Sequence, residues 1–113
     1  METACIYHFT PIHLWEAGKR TNNYLPEGFD LEGFIHCSSK EQILRSANKH
    51  ADKSQDHVLL KINPDALTSK LVFENTSGGT EPFPHIYGPL NNEAVVTEYA
   101  FSTQPDGSFQ LPF

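Results

Sequence analysis

Phe83-Pro84-His85-Ile86-Tyr87-Gly88-Pro89-Leu90 packs two prolines, a glycine, a histidine and two aromatics into eight residues. Prolines at 84 and 89 fix φ and remove two backbone donors, so this stretch is not the middle of a helix. It reads as a short strand, His85-Ile86-Tyr87 at most, released into a turn at Gly88. Along a strand, neighbouring side chains face opposite ways, so His85 and Tyr87 share one face and Ile86 takes the other. Such a segment is either a fixed presenter of His85 and Tyr87 or a rigid connector whose aromatics fill the core.

Working outward from it, the chain is rich in strand signals. Asn91-Asn92 makes a turn, and Ala94 to Phe101 is the most β-prone run present. Pro105-Asp106-Gly107 signals a turn, after which Ser108 to Leu111 is expected to pair back as a short strand. Upstream, Leu71-Val72-Phe73-Glu74 and His57-Val58-Leu59-Leu60-Lys61-Ile62 read as strands, separated by a turn or single helical turn at Asn63-Pro64-Asp65-Ala66-Leu67. Asn75 to Pro82, with Gly78-Gly79, is a loop.

The helices come early. Ser39 and Gln42 have capping-box spacing, and Ile43, Leu44, Ala47 and Ala51 form a stripe, so a helix from Lys40 to about His50 is expected. Gly33-Phe34-Ile35-His36-Cys37-Ser38, just before it, reads as a strand with Phe34, His36 and Ser38 on one face and Ile35 and Cys37 on the other. Cys5-Ile6-Tyr7-His8-Phe9 reads as the first strand. Thr10 would cap a helix starting at Pro11, anchored by Ile12, Leu14 and Trp15 and stopped by Gly18. Lys19 to Gly33 is an aperiodic loop, of a length usually tied to function or mobility. The order is strand, helix, strand, helix, then mainly strands with hairpin-like spacings. That predicts a single α+β domain over residues 1–113 with a mostly antiparallel sheet.

Fourteen acidic against eight basic side chains give a formal net charge of −6, which argues against non-specific nucleic-acid binding. No apolar run approaches the ~18 residues of a membrane helix. The start, Met1-Glu2-Thr3-Ala4-Cys5, shows no export signal. Cys5 and Cys37 are therefore expected as thiols in buried strands of a cytosolic protein.

There is no glycine-rich phosphate loop, H-E-x-x-H, C-x-x-C or G-x-S-x-G. His36 and Cys37 are adjacent on a strand and face opposite ways, so adjacency does not make them a base and nucleophile. His8, His36 and His85 each lie in a strand-like, aromatic-rich segment, whereas His13, His50 and His57 look like surface residues. Three such histidines suggest a shared polar spot in an aromatic cleft, as small-molecule sites have. The structural alternative is three buried, hydrogen-bonded histidines. No histidine pair has a metal-ligand spacing, and no metal is expected.

Several motifs carry a resemblance: Ile6-Tyr7-His8-Phe9-Thr10, Trp15-Glu16-Ala17, Glu32-Gly33-Phe34-Ile35-His36-Cys37-Ser38, Gln42 with Ala47-Asn48, Phe83 through Asn91, and Asp106-Gly107-Ser108-Phe109. Together they resemble the small bacterial-type domain family of unknown function numbered nine hundred and fifty-two. That family is distantly similar to the ADP-ribosyltransferase-like fold, in its RNA 2′-phosphotransferase branch. The resemblance implies a split β-sheet and a pocket for NAD or an ADP-ribose-like nucleotide. In that fold a first-strand histidine, in a motif of the type L-Y-H-G-T, contacts NAD; here Ile6-Tyr7-His8-Phe9-Thr10 matches, with Phe9 in place of glycine. A second-strand histidine followed by serine matches His36-Cys37-Ser38. The implied roles are catalytic for His36 and His8, and ligand-binding for Thr10, Ser38, His85, Tyr87 and Tyr24. The late-strand glutamate of many ADP-ribosyltransferases has no clear equivalent; Glu98 is the residue on a late strand. The implied activity is a nucleotide-dependent transferase with a small-molecule nucleotide ligand. The alternative is a module that binds such a ligand without turnover.

Overall fold

The computed structural model describes residues 4–76 and 78–113. Met1-Glu2-Thr3, where the reading about export begins, lies outside them, as does Ser77. The chain forms strand β1 (Ile6–Pro11), helix α1 (Ile12–Thr21), a one-turn helix α2 (Phe29–Glu32), β2 (Ile35–His36), α3 (Lys40–His50), β3 (His57–Ile62), β4 (Lys70–Glu74), β5 (Phe83–Tyr87) and β6 (Val95–Phe101). The strands make two antiparallel sheets, β1-β3-β6 and β2-β5-β4. This is the expected α+β architecture, and no described helix is long and apolar enough to cross a membrane.

Central β3 is buried on both faces. Val58, Leu60 and Ile62 join a cluster with Ile6, Trp15, Tyr24, Ile35, Cys37, Ile86 and Leu90. Leu59 joins a second cluster with Tyr7, Ile43, Ala47, Phe101 and Phe109. The first sheet is thus covered by α1 on one face and α3 on the other. Each fully buried leucine or isoleucine contributes about 1.5–3 kcal/mol over leaving it exposed. His57, expected at the surface, is buried because it opens this central strand; its Nδ1 lies 2.9 Å from the Gln55 carbonyl. Cys37 is buried, Cys5 half-buried, and both are free thiols.

Helix α3 follows its local signals: the Ser39 side chain accepts from Gln42 N–H, and the Gln42 side chain accepts from Ser39 N–H. Helix α1 departs from them. Pro11 ends β1 instead of opening the helix, Thr10 does not cap it, and the helix runs through Gly18 to Thr21. Gly18 serves a close approach instead: a Cβ there would sit 2.6 Å from Tyr24 Cβ and 2.7 Å from Tyr24 Cα. Asn22, left-handed at φ 58°, ends the helix. The following segment is anchored by Tyr24, fully buried and paired with Leu90. Ser108 to Leu111 does not pair back as a strand; Phe109 stacks on Phe101 at 4.6 Å, and its N–H donates to Asn48 Oδ1.

β5 is longer than the prolines suggested and lies in the middle of its sheet. Its Pro84 is tolerated because of where the missing donor falls. Cys37 N–H donates to the Pro84 carbonyl at 3.0 Å, so the absent Pro84 N–H faces the point where β2 ends and the chain turns to β1.

Candidate functional site

β1 and the end of β2 touch and then part. Tyr7 and Ser38 exchange two backbone hydrogen bonds, each 2.8 Å. Continued, that ladder would oppose Phe9 and His36. Instead the strands diverge, and the His36 carbonyl is left pointing at the gap, because backbone groups alternate sides and those of Cys37 face β5. The His8 ring fills the missing link, with Nδ1 2.6 Å from that carbonyl and Nε2 2.8 Å from the Tyr24 hydroxyl. A carbonyl can only accept, so Nδ1 carries the proton and Nε2 accepts from Tyr24. Burial pushes the His8 pKa down to about 4, against the opposing pull of the His36 carbonyl. His8 is therefore neutral at pH 7, with both ring nitrogens engaged.

The divergence opens a cleft of about 580 Å³. Tyr7 and Phe9 form one wall, Ile43, Ser46 and His50 of α3 another, and His36, Ser38, Phe83 and His85 the third. Glu27 and Glu32 stand at its edge. A smaller hollow of about 330 Å³ adjoins it through Ser46, His50 and Phe83 and adds Arg45 and Lys49. Arg45 Nη2 lies 2.7 Å from both carboxylate oxygens of Glu81.

His36 and His85 oppose each other across β2 and β5. This is a non-hydrogen-bonded pair, the kind that brings side chains closest. Their rings meet edge to face at 5.3 Å, and Phe34 stacks flat on His85 at 4.0 Å. Each imidazole is held by a carboxylate: His36 Nε2 by Glu32, and His85 Nδ1 by Glu74 at 3.0 Å. Glu74 also accepts from the Tyr87 hydroxyl. The Tyr87 and His85 hydrogen bonds hold the Glu74 carboxyl below the usual range, and Glu74 in turn raises the Tyr87 pKa. Each histidine keeps one ring nitrogen with no hydrogen-bond partner among the described residues. Cys37 packs with Ile35 in the core, and burial pushes its thiol pKa up, so it stays protonated.

Of the residues singled out from the sequence, His8, His36, Ser38 and His85 line the cleft. Thr10, Tyr24 and Tyr87 do not. Thr10, on β1, and Tyr24 are buried, and Tyr87 is 40% exposed beside Glu74. The sequence reading missed Glu32, Ser46, His50 and Glu74. Ser46 and His50 were findable, since their i, i+4 spacing on α3 puts them on one line beside the apolar stripe. The contact of Glu74 with His85 depends on the β4–β5 register and carries no local signal. Among the described residues, no three His, Cys, Asp or Glu gather to hold a metal ion.

No curated protein matches the chain. It is similar to solved structures of protein CC0527 from Caulobacter crescentus. The crystal structure is 31% identical, with a TM-score of 0.85 over 96% of this chain and 95% of that one. The solution NMR structure is 33% identical, with a TM-score of 0.81 over 96% and 94%. A family model described as protein of unknown function (DUF952) matches residues 9–98, which run from β1 through most of β6 and include every cleft residue named above except Tyr7 and His8. The chain belongs to this DUF952 family of proteins of unknown function.

Proposed function

We propose that the cleft binds an NAD- or ADP-ribose-type nucleotide and that the protein is an ADP-ribosyl- or phosphotransferase-like transferase on the ADP-ribosyltransferase-like plan. The observation that carries this reading is the convergence of His36, His85 and Ser38 on one open, aromatic-walled cleft, with one nitrogen of each imidazole left for a ligand. His36 is the residue assigned to the sugar. Its ring is exposed, and Glu32 fixes its orientation. Cleaving an N-glycosidic bond builds positive, oxocarbenium-like character on the ribose. Carboxylates at the cleft edge, Glu27 and Glu32, suit that charge. In the adjoining hollow Lys49 supplies a cation for a phosphate, since Arg45 is paired with Glu81. His8 supports the cleft by closing the gap between the strands. The ligand is a small nucleotide, not a nucleic acid, and the free thiols suit the cytosol.

One observation favours binding without turnover. Glu98, the late-strand glutamate, lies on β6, held 3.2 Å from Lys19 and away from the cleft lining. Calorimetric titration with ADP-ribose and NAD, combined with chromatographic assay of free nicotinamide, separates the readings. Binding with nicotinamide release supports the transferase. Binding alone supports the module. No heat with either nucleotide at millimolar concentration overturns both.

A further inference from the structure

We propose that His85, backed by Glu74 and Tyr87, is the proton acceptor of the cleft and deprotonates an incoming hydroxyl group through its Nε2. The proposal rests on the reading that the cleft takes an NAD-type donor.

The geometry is directional. A carboxylate only accepts, so the 3.0 Å contact to Glu74 places the His85 proton on Nδ1. The neutral ring then carries its lone pair on Nε2. Among the described residues that atom has no hydrogen-bond partner; it is not sealed from solvent, and it belongs to a residue lining the cleft. His85 is 3% exposed, so its ring is fixed by packing, under Phe34 stacked at 4.0 Å. Glu74 is held by the Tyr87 hydroxyl, which donates to the same carboxylate oxygen, Oε2, that His85 Nδ1 contacts. The sequence foresaw His85 and Tyr87 on one face; the structure adds the carboxylate that joins them. A base oriented by a third group is the arrangement that activates hydroxyl nucleophiles.

The step balances. The hydroxyl oxygen bonds to the ribose carbon, and the bond from that carbon to nicotinamide breaks. Nicotinamide leaves neutral with the bonding pair, and the hydroxyl proton goes to His85 Nε2. Glu74 is a positioning residue that stabilises the resulting imidazolium. The titratable groups facing His85 are Glu74 on β4, His36 on β2 and Tyr87 on β5 itself.

The test uses the full chain and diethyl pyrocarbonate, which acylates unprotonated imidazoles, with each site located by mass spectrometry. His85 is expected to acylate despite its low exposure. In Glu74→Gln the rate of His85 acylation at a fixed pH of about 8 should fall several-fold, because the carboxylate that fixes the ring is lost. Exposed His13 should be unchanged. With NAD, His85→Gln and Glu74→Gln should each lower nicotinamide release by at least about 100-fold, and Glu74→Gln, at a residue that does not line the cleft, should retain nucleotide affinity. If His85→Gln does not fold, Glu74→Gln carries the test. An unreactive His85, or a Glu74→Gln protein whose His85 acylates as fast as in the wild type, overturns the proposal. Full nicotinamide release by both variants also overturns it while leaving the nucleotide reading intact. A wild-type protein that ignores NAD removes the nucleotide reading, and the acylation rates still decide whether His85 is a carboxylate-backed base.

Discussion

Lowering the pH from 7 to 5 is expected to cost this protein about 2 kcal/mol through His8 alone. His8 is held neutral at the seam between β1 and β2, donating to the His36 carbonyl and accepting from Tyr24. Its pKa is about 4 in the fold, against 6.5 for an ordinary histidine. Because the folded value is depressed, the unfolded chain binds the proton first. The His8 contribution is intact above pH 6.5, is lost progressively as pH falls towards 4, and is constant below that. The full span corresponds to about 3 kcal/mol, of which about 2 kcal/mol falls between pH 7 and 5. Urea unfolding at pH 7, 6 and 5 measures the slope, and His8→Asn provides the reference. Asparagine can still donate to the His36 carbonyl but cannot titrate. It leaves the Tyr24 hydroxyl without its acceptor, so it should be about 1–3 kcal/mol less stable at pH 7. Its stability should depend less on pH by about 2 kcal/mol over the same interval. Equal slopes in the two proteins, or a His8 ring that titrates near pH 6.5 by NMR, would refute the assignment of His8 as a neutral strand link.

Three further outcomes follow from the packing. Tyr24→Phe removes the donor to His8 Nε2 and should cost about 1–3 kcal/mol by chemical denaturation while raising the His8 pKa, read by NMR. Gly18→Ala gains about 1 kcal/mol of helix propensity but places a methyl against the Tyr24 backbone, so thermal unfolding should show a net loss of about 1–3 kcal/mol. Ser39→Ala breaks the capping box of α3 and should cost about 1 kcal/mol in the same assay.

The parts of the fold legible in the sequence are those fixed by neighbours in the chain. The Ser39–Gln42 box fixes the start of α3, and the β-branched and leucine-rich run at 57–62 fixes β3. Gly18 misled because its role is set by Tyr24, a residue from a segment without periodicity. Pro84 argued for a shorter β5, yet it sits opposite the residue that follows β2, so its missing donor interrupts only the end of that ladder. His57 looked exposed beside Asp56, but the strand it opens is central and buried on both faces. For the site, strand alternation correctly put His36 and Ser38 on one face, and His85 and Tyr87 on one face. What alternation could not supply was the partners. Glu32 and Glu74 reach their histidines through a loop path and a strand register, both set by tertiary structure. The gap between β1 and β2, which creates the cleft, likewise has no signature in either strand alone.

The central claim is that His36 and His85 form the ligand-contacting face of a nucleotide cleft. Imidazole NMR during addition of ADP-ribose tests it most directly, because all six histidines report at once. The account predicts saturable shifts of His36 and His85, a smaller shift of His50 at the cleft edge, and none at exposed His13. Unmoved His36 and His85 signals at saturating nucleotide, or shifts centred on His13, would contradict it.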